Sequence, residues 1–360
     1  MKQNKVTNLV KPAIRALQAY QTHQTPGLVK LDAMENPYQW PAELMDPLLQ
    51  ILREIPVNRY PDSHAHVLKE KIRECFSIPA DLSIMLGNGS DELIQILAMS
   101  LSGTERVFMA AEPGFAMYRM ISNVVGAQYV ALPLRNDTFE LDIARNLEMI
   151  EQYRPALLFI AYPNNPTGNL FSQENIIRII EMAPGMVVID EAYQAFSGAS
   201  FLAQMQKYEH VVLMRTLSKS GMAGLRLGYL LGHPDILSEL EKVRLPYNIN
   251  VLSQVTAEFM LQHHDVLQAQ AENICRDREL LLQELETIAA IKVWPSSCNF
   301  LIFRCTQHPA MDIYQGLKTQ GILIKNMHGQ HPQLENCLRV TIGTPGENRL
   351  FTETLKSLLA

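Results

Sequence analysis

The sequence predicts an α/β fold, in which a large domain has a mostly parallel sheet sandwiched by helices and a smaller α+β domain follows it. Between residues 80 and 235, short apolar runs alternate with amphipathic segments, which is typical of buried strands joined by crossover helices. The six runs span residues 83–86, 107–111, 156–161, 186–189, 211–214 and 227–231. Because the runs are apolar nearly throughout and do not alternate, we expect helices to cover both faces of the sheet.

The remaining elements set the expected domain boundaries. Residues 1–30 form an N-terminal arm with a short amphipathic helix, residues 31–250 form the large domain and residues 251–360 form the small one. A long helical pattern over 249–288 leads into the small domain, which has strand patterns at 300–304 and 338–342 and helical patterns at 309–320 and 346–359. We expect part of the N-terminal segment to complete the small domain.

Composition and charge exclude several classes of function. The formal net charge is −6 and the apolar fraction is 47 %, so the chain is globular and has no overall attraction to nucleic acid or to an anionic membrane. No apolar stretch reaches membrane-spanning length and residues 1–20 lack a signal-peptide core, so we expect a cytoplasmic protein. The five cysteines form neither a CxxC pair nor a zinc-like ladder, which predicts free thiols and no metal site.

Polar residues follow the predicted strands at their carboxyl ends, where open parallel sheets bind ligands. The turn at 87–92 reads Gly-Asn-Gly-Ser-Asp-Glu and opens a helical pattern, which favours an anion such as phosphate. The simpler interpretation is a strand-to-helix turn capped by Ser90 or Asp91. The turn is neither a nucleotide P-loop nor a dinucleotide fingerprint. After the second run, Phe115 could stack on a flat ring or belong to the core.

The next two strand ends carry an amide and a carboxylate. In the segment 162–168, Tyr-Pro-Asn-Asn-Pro-Thr-Gly, two prolines stiffen the backbone, so Asn165 is either an aimed amide or part of a plain loop. Asp190 closes a wholly apolar run, where a carboxylate is costly unless it is paired. Its partner could be a protonated heterocyclic nitrogen, a salt-bridged cation or a helix N-terminus.

A lysine follows the fifth run, in the segment 215–226, Arg-Thr-Leu-Ser-Lys-Ser-Gly-Met-Ala-Gly-Leu-Arg. At the ligand edge of a sheet, a lysine can be desolvated, which lowers its pKa and frees the amine as a nucleophile. Ser218 and Arg226 suit a phosphate. Lys219 alone would be interpreted as a solvated surface group. The five strand ends together supply an anion cradle, a stacking ring, an amide, a carboxylate and a lysine, and this set points to a ligand site.

The order of these motifs resembles that of the fold-type I pyridoxal-phosphate aminotransferases. The motifs are Asn-Pro-Thr-Gly at 165–168, Asp-Glu-Ala-Tyr at 190–193 and Ser-Lys-Ser-Gly-Met-Ala-Gly-Leu-Arg at 218–226. Within that family, the chain is most similar to the histidinol-phosphate aminotransferases, through Tyr20 and the segments 31–38, 58–62 and 338–343. The resemblance covers nearly the whole chain and implies pyridoxal 5'-phosphate as the cofactor.

The resemblance implies a role for each residue around the cofactor ring. Lys219 would hold the cofactor covalently and then act as the base and acid that moves a proton. Asp190 would pair with the pyridinium nitrogen and keep the ring protonated. Asn165 and Tyr193 would hold the phenolic oxygen of the ring, and Phe115 would stack on the ring face.

The resemblance also implies the residues around the cofactor phosphate. These are Gly89, Ser90, Asp91, Thr216, Ser218 and Arg226. Tyr60 resembles the tyrosine that reaches this phosphate from a neighbouring subunit. This similarity implies a homodimer with shared active sites.

Four residues resemble those that bind or surround the substrate in the family. Arg339 resembles the arginine that receives an anionic group, and strand alternation turns it away from its apolar neighbours if these pack inward. The simpler interpretation is a surface arginine on a strand. Tyr20 and Asn36 resemble residues near the substrate. Lys325 stands where many relatives carry a second arginine, and lysine keeps the charge but lacks the bidentate fork.

The implied reaction converts L-histidinol phosphate and 2-oxoglutarate into imidazole-acetol phosphate and L-glutamate, a step of histidine biosynthesis. The partners are therefore a small-molecule amino donor and a 2-oxo acid. Three alternatives stay open at this point: an aromatic or other amino-acid aminotransferase, a pyridoxal-phosphate lyase acting on an amino-acid phosphate, and a non-catalytic pyridoxal-phosphate-binding regulator.

Overall fold

The structure is a computed structural model that describes residues 9–17, 27–103 and 105–360. The strands are β1 (Val29–Lys30), β2 (Ser83–Asn88), β3 (Val107–Glu112), β4 (Gln128–Pro133), β5 (Leu157–Ala161), β6 (Met186–Asp190), β7 (Val211–Thr216), β8 (Leu227–Gly232), β9 (Ile291–Val293), β10 (Phe300–Cys305), β11 (Ile322–Leu323), β12 (Lys325–Asn326) and β13 (Cys337–Thr341). The helices are α1 (Pro12–Arg15), α2 (Met45–Arg53), α3 (His66–Cys75), α4 (Ser90–Leu101), α5 (Ala116–Val125), α6 (Ile143–Tyr153), α7 (Gln173–Met182), α8 (Gln194–Ser197), α9 (Pro234–Glu241), α10 (Val251–Gln262), α11 (His264–Glu286), α12 (Ala310–Thr319) and α13 (Pro345–Leu359).

The large sheet has seven strands in the order β2-β8-β7-β6-β5-β3-β4. Only β8 runs antiparallel to its two neighbours, and the other pairings within this sheet are parallel. All six predicted strands occur in it. The predicted mostly parallel α/β sheet is therefore confirmed, with one antiparallel strand near its edge.

The two faces of the large sheet pack into separate hydrophobic clusters. In β5, Leu158 and Ile160 belong to one cluster, whereas Leu157 and Phe159 belong to another. This is the alternation that a strand imposes on successive side chains. Since both sets are buried, helices cover the sheet on both sides, as the apolar runs predicted.

The edge strand β4 was not predicted from the sequence. Its residues are mostly half-buried, because an edge strand of the sheet is only partly covered. Residues 129–132 are nevertheless all apolar, so the sequence does carry the signal of a short strand here. The long helical pattern also differs from prediction: it forms two helices, α10 and α11, because the backbone at His263 leaves the helical conformation.

A second sheet of four antiparallel strands, in the order β12-β13-β10-β9, forms from the C-terminal part of the chain. Strand β1, which forms the end of the predicted arm, pairs in parallel with β11, so this part of the N-terminal segment packs with residues from the C-terminal part of the chain. The division into domains at residue 250 stays a prediction. Among the described residues, no helix combines the length and the apolar character needed to cross a bilayer.

Candidate active site

The carboxyl ends of β2, β3, β5, β6 and β7 lie at one edge of the large sheet, because these strands run in the same direction. A pocket at this edge brings together ten of the residues that the sequence predicted. They are Ser90, Asp91, Phe115, Asn165, Asp190, Tyr193, Thr216, Ser218, Lys219 and Arg226. The strand ends therefore form one site, as the sequence predicted.

Lys219 lies in a short turn directly after β7, in which Gly221 adopts a left-handed conformation with φ +102°. A side chain at Gly221 would meet Asn36 and Leu267, so the turn is packed closely against two other segments. The Lys219 amine donates a hydrogen bond to the Ala33 carbonyl oxygen at 3.3 Å. Burial, reinforced by the positive charge of Arg339, lowers the pKa of this amine from 10.5 to about 8. A larger fraction of this amine is therefore neutral and nucleophilic near physiological pH than of an ordinary lysine amine.

Asp190 is the last residue of β6 and is only 5 % exposed. Its Oδ2 accepts a hydrogen bond from the Tyr118 hydroxyl at 2.5 Å, and its Oδ1 accepts one from the Ala192 backbone N–H at 3.0 Å. Burial raises the pKa of this carboxyl to about 6, while both hydrogen bonds act to lower it. The group is a buried carboxylate whose charge is held by two donors.

Arg339 is linked to Tyr193 through the side chain of Asn165. The Arg339 Nη1 donates to the Asn165 Oδ1 at 2.7 Å, and the Asn165 Nδ2 donates to the Tyr193 hydroxyl oxygen at 3.0 Å. The guanidinium also lies 5.0 Å from the centre of the Phe300 ring. At 6 % exposure, Arg339 is a buried arginine, so its interpretation as a surface strand residue is wrong.

The predicted anion cradle combines a helix N-terminus with a cation. Gly89, at φ +82°, precedes α4, and a Cβ built on it would lie 2.6 Å from the Arg226 Nη2. Arg226 reaches Ser218 Oγ at 3.5 Å and Asp91 Oδ2 at 3.3 Å. The Thr216 hydroxyl accepts the Ser218 backbone N–H at 3.1 Å and so orders the same turn. Free N–H groups of α4, a hydroxyl and a guanidinium together suit a phosphate.

Besides Gly89 and Arg339, which adjoin the pocket residues Arg226 and Asn165, three predicted residues do not line the pocket. Tyr60 is 80 % exposed and stacks on Tyr247 with ring centres 4.4 Å apart. Asn36 donates to the Gln270 Oε1 at 2.8 Å, beside the Lys219 turn. Lys325 is half-buried on β12, directly opposite Arg339 on β13.

Tyr20 lies outside the described residues.

Sequence reasoning missed Tyr118 and a buried ion pair. Tyr118 lies three residues after Phe115, in the first turn of α5, and its ring contacts that of Phe115 edge-on at 5.5 Å, so its closeness to a predicted residue could have identified it. Glu191 and Arg215 form an ion pair at 2.8 Å on neighbouring strand ends. Glu191 also accepts the Phe201 backbone N–H at 2.6 Å, which ties down the segment after Tyr193. The sequence offers no comparable signal for this pair, because its partners lie on different strands.

These groups fit pyridoxal phosphate, the cofactor that the sequence resemblance implied. The pocket supplies a lysine amine of lowered pKa that can react with an aldehyde, a buried carboxylate that can pair with a protonated ring nitrogen, and a cationic cradle that can bind a phosphate. Phe115 and Ala192 both line the pocket and offer apolar surface to a flat ring.

The lowered pKa of Lys219 has a measurable consequence in the cofactor-free protein. Only the neutral amine reacts with an aldehyde, so the initial rate at which borohydride traps pyridoxal phosphate on Lys219 should rise with pH around a midpoint of about 8. The variant Arg339→Leu removes a nearby positive charge and should move this midpoint to higher pH. The exposed Arg349→Leu is the matched control and should leave it in place. A wild-type midpoint near 10.5, the ordinary lysine value, would contradict the assignment.

Comparison with known proteins gives the family. The family described as aminotransferase class I and II matches residues 26–355. A relative from Nitrosococcus oceani, named histidinol-phosphate aminotransferase 2, is 48 % identical over 357 residues and covers 99 % of each chain. A relative from Chromobacterium violaceum, named histidinol-phosphate aminotransferase, is 46 % identical over 351 residues and covers 98 % of each chain.

A solved structure agrees with the fold. The crystal structure of histidinol-phosphate aminotransferase from Sinorhizobium meliloti in complex with pyridoxal-5'-phosphate matches with a TM-score of 0.85 at 22 % identity, over 97 % of both chains. The family match over most of the chain and the two full-length relatives show the family to which the chain belongs. This chain belongs to the class I and II aminotransferases and is a pyridoxal-phosphate-dependent enzyme of that family.

Proposed function

We propose that this enzyme transfers the amino group of L-histidinol phosphate to 2-oxoglutarate, giving imidazole-acetol phosphate and L-glutamate. The observation that carries the substrate class is the pairing of Arg339 with Lys325 on adjacent antiparallel strands. Residues directly opposite each other in such a pair extend from the same face of the sheet. Two cations on one face, beside Asn165, suit a phosphate monoester and a dicarboxylate. The two relatives that carry the histidinol-phosphate name support the same choice.

The pocket residues divide the chemistry among themselves. When bound, pyridoxal phosphate supplies an electron-withdrawing ring that accepts the electron pair released at the substrate α-carbon. Lys219, whose pKa is lowered to about 8, takes the α-proton and returns it as an acid. Asp190 would stay ionised and keep the ring nitrogen protonated. Asn165 and Tyr193, whose side chains are hydrogen-bonded to each other, would hold the phenolic oxygen of the ring.

Both substrates are anionic, and Arg339 serves each in turn. Its guanidinium is oriented by Asn165 and by the Asp32 carbonyl oxygen, so it is already placed before a substrate arrives.

We place the reaction in the cytoplasm, because five free cysteines suit a reducing compartment.

A panel of half-reactions tests the substrate. Purified enzyme with bound cofactor is mixed with L-histidinol phosphate, L-histidinol, phenylalanine or phosphothreonine, and loss of the cofactor absorbance band is followed. Histidinol phosphate should react at least about tenfold faster than histidinol, since a hydrogen bond to a charged group contributes about 1.5–3 kcal/mol. Lys219→Ala should abolish the reaction, whereas the exposed Lys207→Ala should retain it.

Other outcomes of the panel separate the alternatives. Equal rates for histidinol phosphate and phenylalanine would contradict the proposed substrate and favour an aromatic aminotransferase. Product formation from an amino-acid phosphate without any 2-oxo acid would indicate a lyase. Binding of the cofactor without turnover of any amino donor would indicate a regulator.

We also propose that the enzyme is a homodimer with shared active sites. Tyr60 and Tyr247 stack on each other at the surface, and the neighbouring Val57 and Leu245 are 69 % and 73 % exposed. A contiguous exposed apolar patch favours a protein interface. Tyr60 would then reach the cofactor phosphate of the partner.

Mixed dimers test the shared site. In a hybrid of a Lys219→Ala chain with a Tyr60→Ala chain, one site receives an intact Lys219 and an intact Tyr60. The mixture, assayed at limiting cofactor, should therefore exceed the average of the two separate variants. A mixture of Lys219→Ala with Asp190→Asn is the control and should gain nothing, because these residues lie in the same pocket of one chain. A simple average in the first mixture would contradict sharing.

A further inference from the structure

The Tyr118 hydroxyl contacts the carboxylate on which the cofactor ring depends. It donates to Asp190 Oδ2 at 2.5 Å, while the Ala192 N–H donates to the other oxygen. Tyr118 is 2 % exposed, in the first turn of α5. Burial and the nearby Asp190 charge raise the pKa of this phenol well above its ordinary value, so the hydroxyl stays protonated and remains a donor.

Two aromatic contacts fix the position of this hydroxyl. The Tyr118 ring stacks on Phe159 with centres 4.5 Å apart and planes within 6°. Its other contact is edge-on to Phe115, at 5.5 Å and 85°. Phe159 belongs to β5, the strand beside the one that ends in Asp190. The hydroxyl is therefore held against the carboxylate by ring packing and not by the hydrogen bond alone.

The electrostatic surroundings of Asp190 make this donor important. Asp91 and Glu191 add negative charge that raises the pKa of Asp190, in the same direction as burial. Lys219 and Arg226 line the same pocket, but Arg226 pairs with Asp91, and the nearby Arg215 pairs with Glu191. Within the part of the chain that the structure describes, the donors that contact the Asp190 carboxylate are the Tyr118 hydroxyl and the Ala192 N–H.

We infer that Tyr118 is a positioning residue that keeps Asp190 ionised and oriented for the protonated ring nitrogen of the cofactor. This inference deepens the proposed function and rests on it for the place of the ring. Without the hydroxyl, the carboxylate loses a charge-assisted hydrogen bond and takes up a proton more readily. A protonated Asp190 cannot stabilise a pyridinium, so cofactor affinity should fall at a higher pH than in the wild type.

Cofactor titration of Tyr118→Phe tests this inference. The substitution keeps the ring and its stacking and removes only the hydroxyl. Cofactor-free protein is titrated with pyridoxal phosphate across the pH range around 6, where Asp190 changes its charge. The pH at which affinity falls should rise by about one unit relative to wild type, since one unit corresponds roughly to a hydrogen bond to a charged group. Near the wild-type midpoint, affinity should fall several-fold.

The matched control is Tyr162→Phe. Tyr162 is also 2 % exposed and also packs edge-on against a phenylalanine, Phe201, but it does not line the pocket. Its variant should keep the wild-type pH profile. The thermal unfolding midpoint of each cofactor-free variant shows whether a change in affinity reflects lost packing.

The variant Asp190→Asn separates an effect on the carboxylate from any other effect. In the Asp190→Asn background, the fall of cofactor affinity at low pH should be absent, and adding Tyr118→Phe should have little further effect on affinity. An unchanged pH profile in Tyr118→Phe, or an equal loss of affinity in the Asp190→Asn background, would overturn the inference. Failure of the wild type to bind pyridoxal phosphate would instead overturn the assigned cofactor chemistry.

Discussion

A carboxylate at the end of an apolar strand has lost its water, and oriented donors must then keep it ionised. Asp190 meets this requirement through the Tyr118 hydroxyl and the Ala192 N–H. Burial disfavours the charged form of both groups, so it raises the pKa of the Asp190 carboxyl and lowers the pKa of the Lys219 amine. As a result, the acid titrates near 6 and the amine near 8. Around neutral pH the pocket therefore holds an ionised carboxylate next to an amine that is readily deprotonated.

The topology explains how these groups come to share one pocket. The parallel strands β5, β6 and β7 bring Asn165, Asp190 and Lys219 to one edge of the sheet. Strand β8 runs the other way, so its first residues start at this same edge and Arg226 precedes it there. The four-stranded sheet contributes Arg339 on β13, and the hydrogen bond from Arg339 to Asn165 joins the two sheets at the site. Arg339, the proposed substrate-binding residue, is thus connected through hydrogen bonds to Asn165 and Tyr193, the residues proposed to hold the cofactor ring.

Much of this arrangement could be predicted from the sequence, because its strongest signals are local. Continuous apolar runs predicted the six buried strands, and the polar segments that follow two of these runs contain Asp190 and Lys219. The half-buried edge strand β4 was not predicted, although its residues 129–132 form an apolar run like those of the other strands. Contacts between distant segments were missed as well, including the hydrogen bond from Tyr118 to Asp190 and the ion pair of Glu191 and Arg215. Such contacts depend on how elements pack, and spacing along the chain records only a small part of that information.

The proposed chemistry depends on covalent attachment of the cofactor to Lys219, and peptide mapping can locate that bond. Enzyme loaded with pyridoxal phosphate is reduced with borohydride and digested with trypsin, and the modified peptide is sequenced by mass spectrometry. We expect a single modified peptide that spans residues 216–226 and carries the label on Lys219, where trypsin no longer cleaves. A label on another lysine, or no reducible label in protein that binds the cofactor, would show that Lys219 does not hold the cofactor.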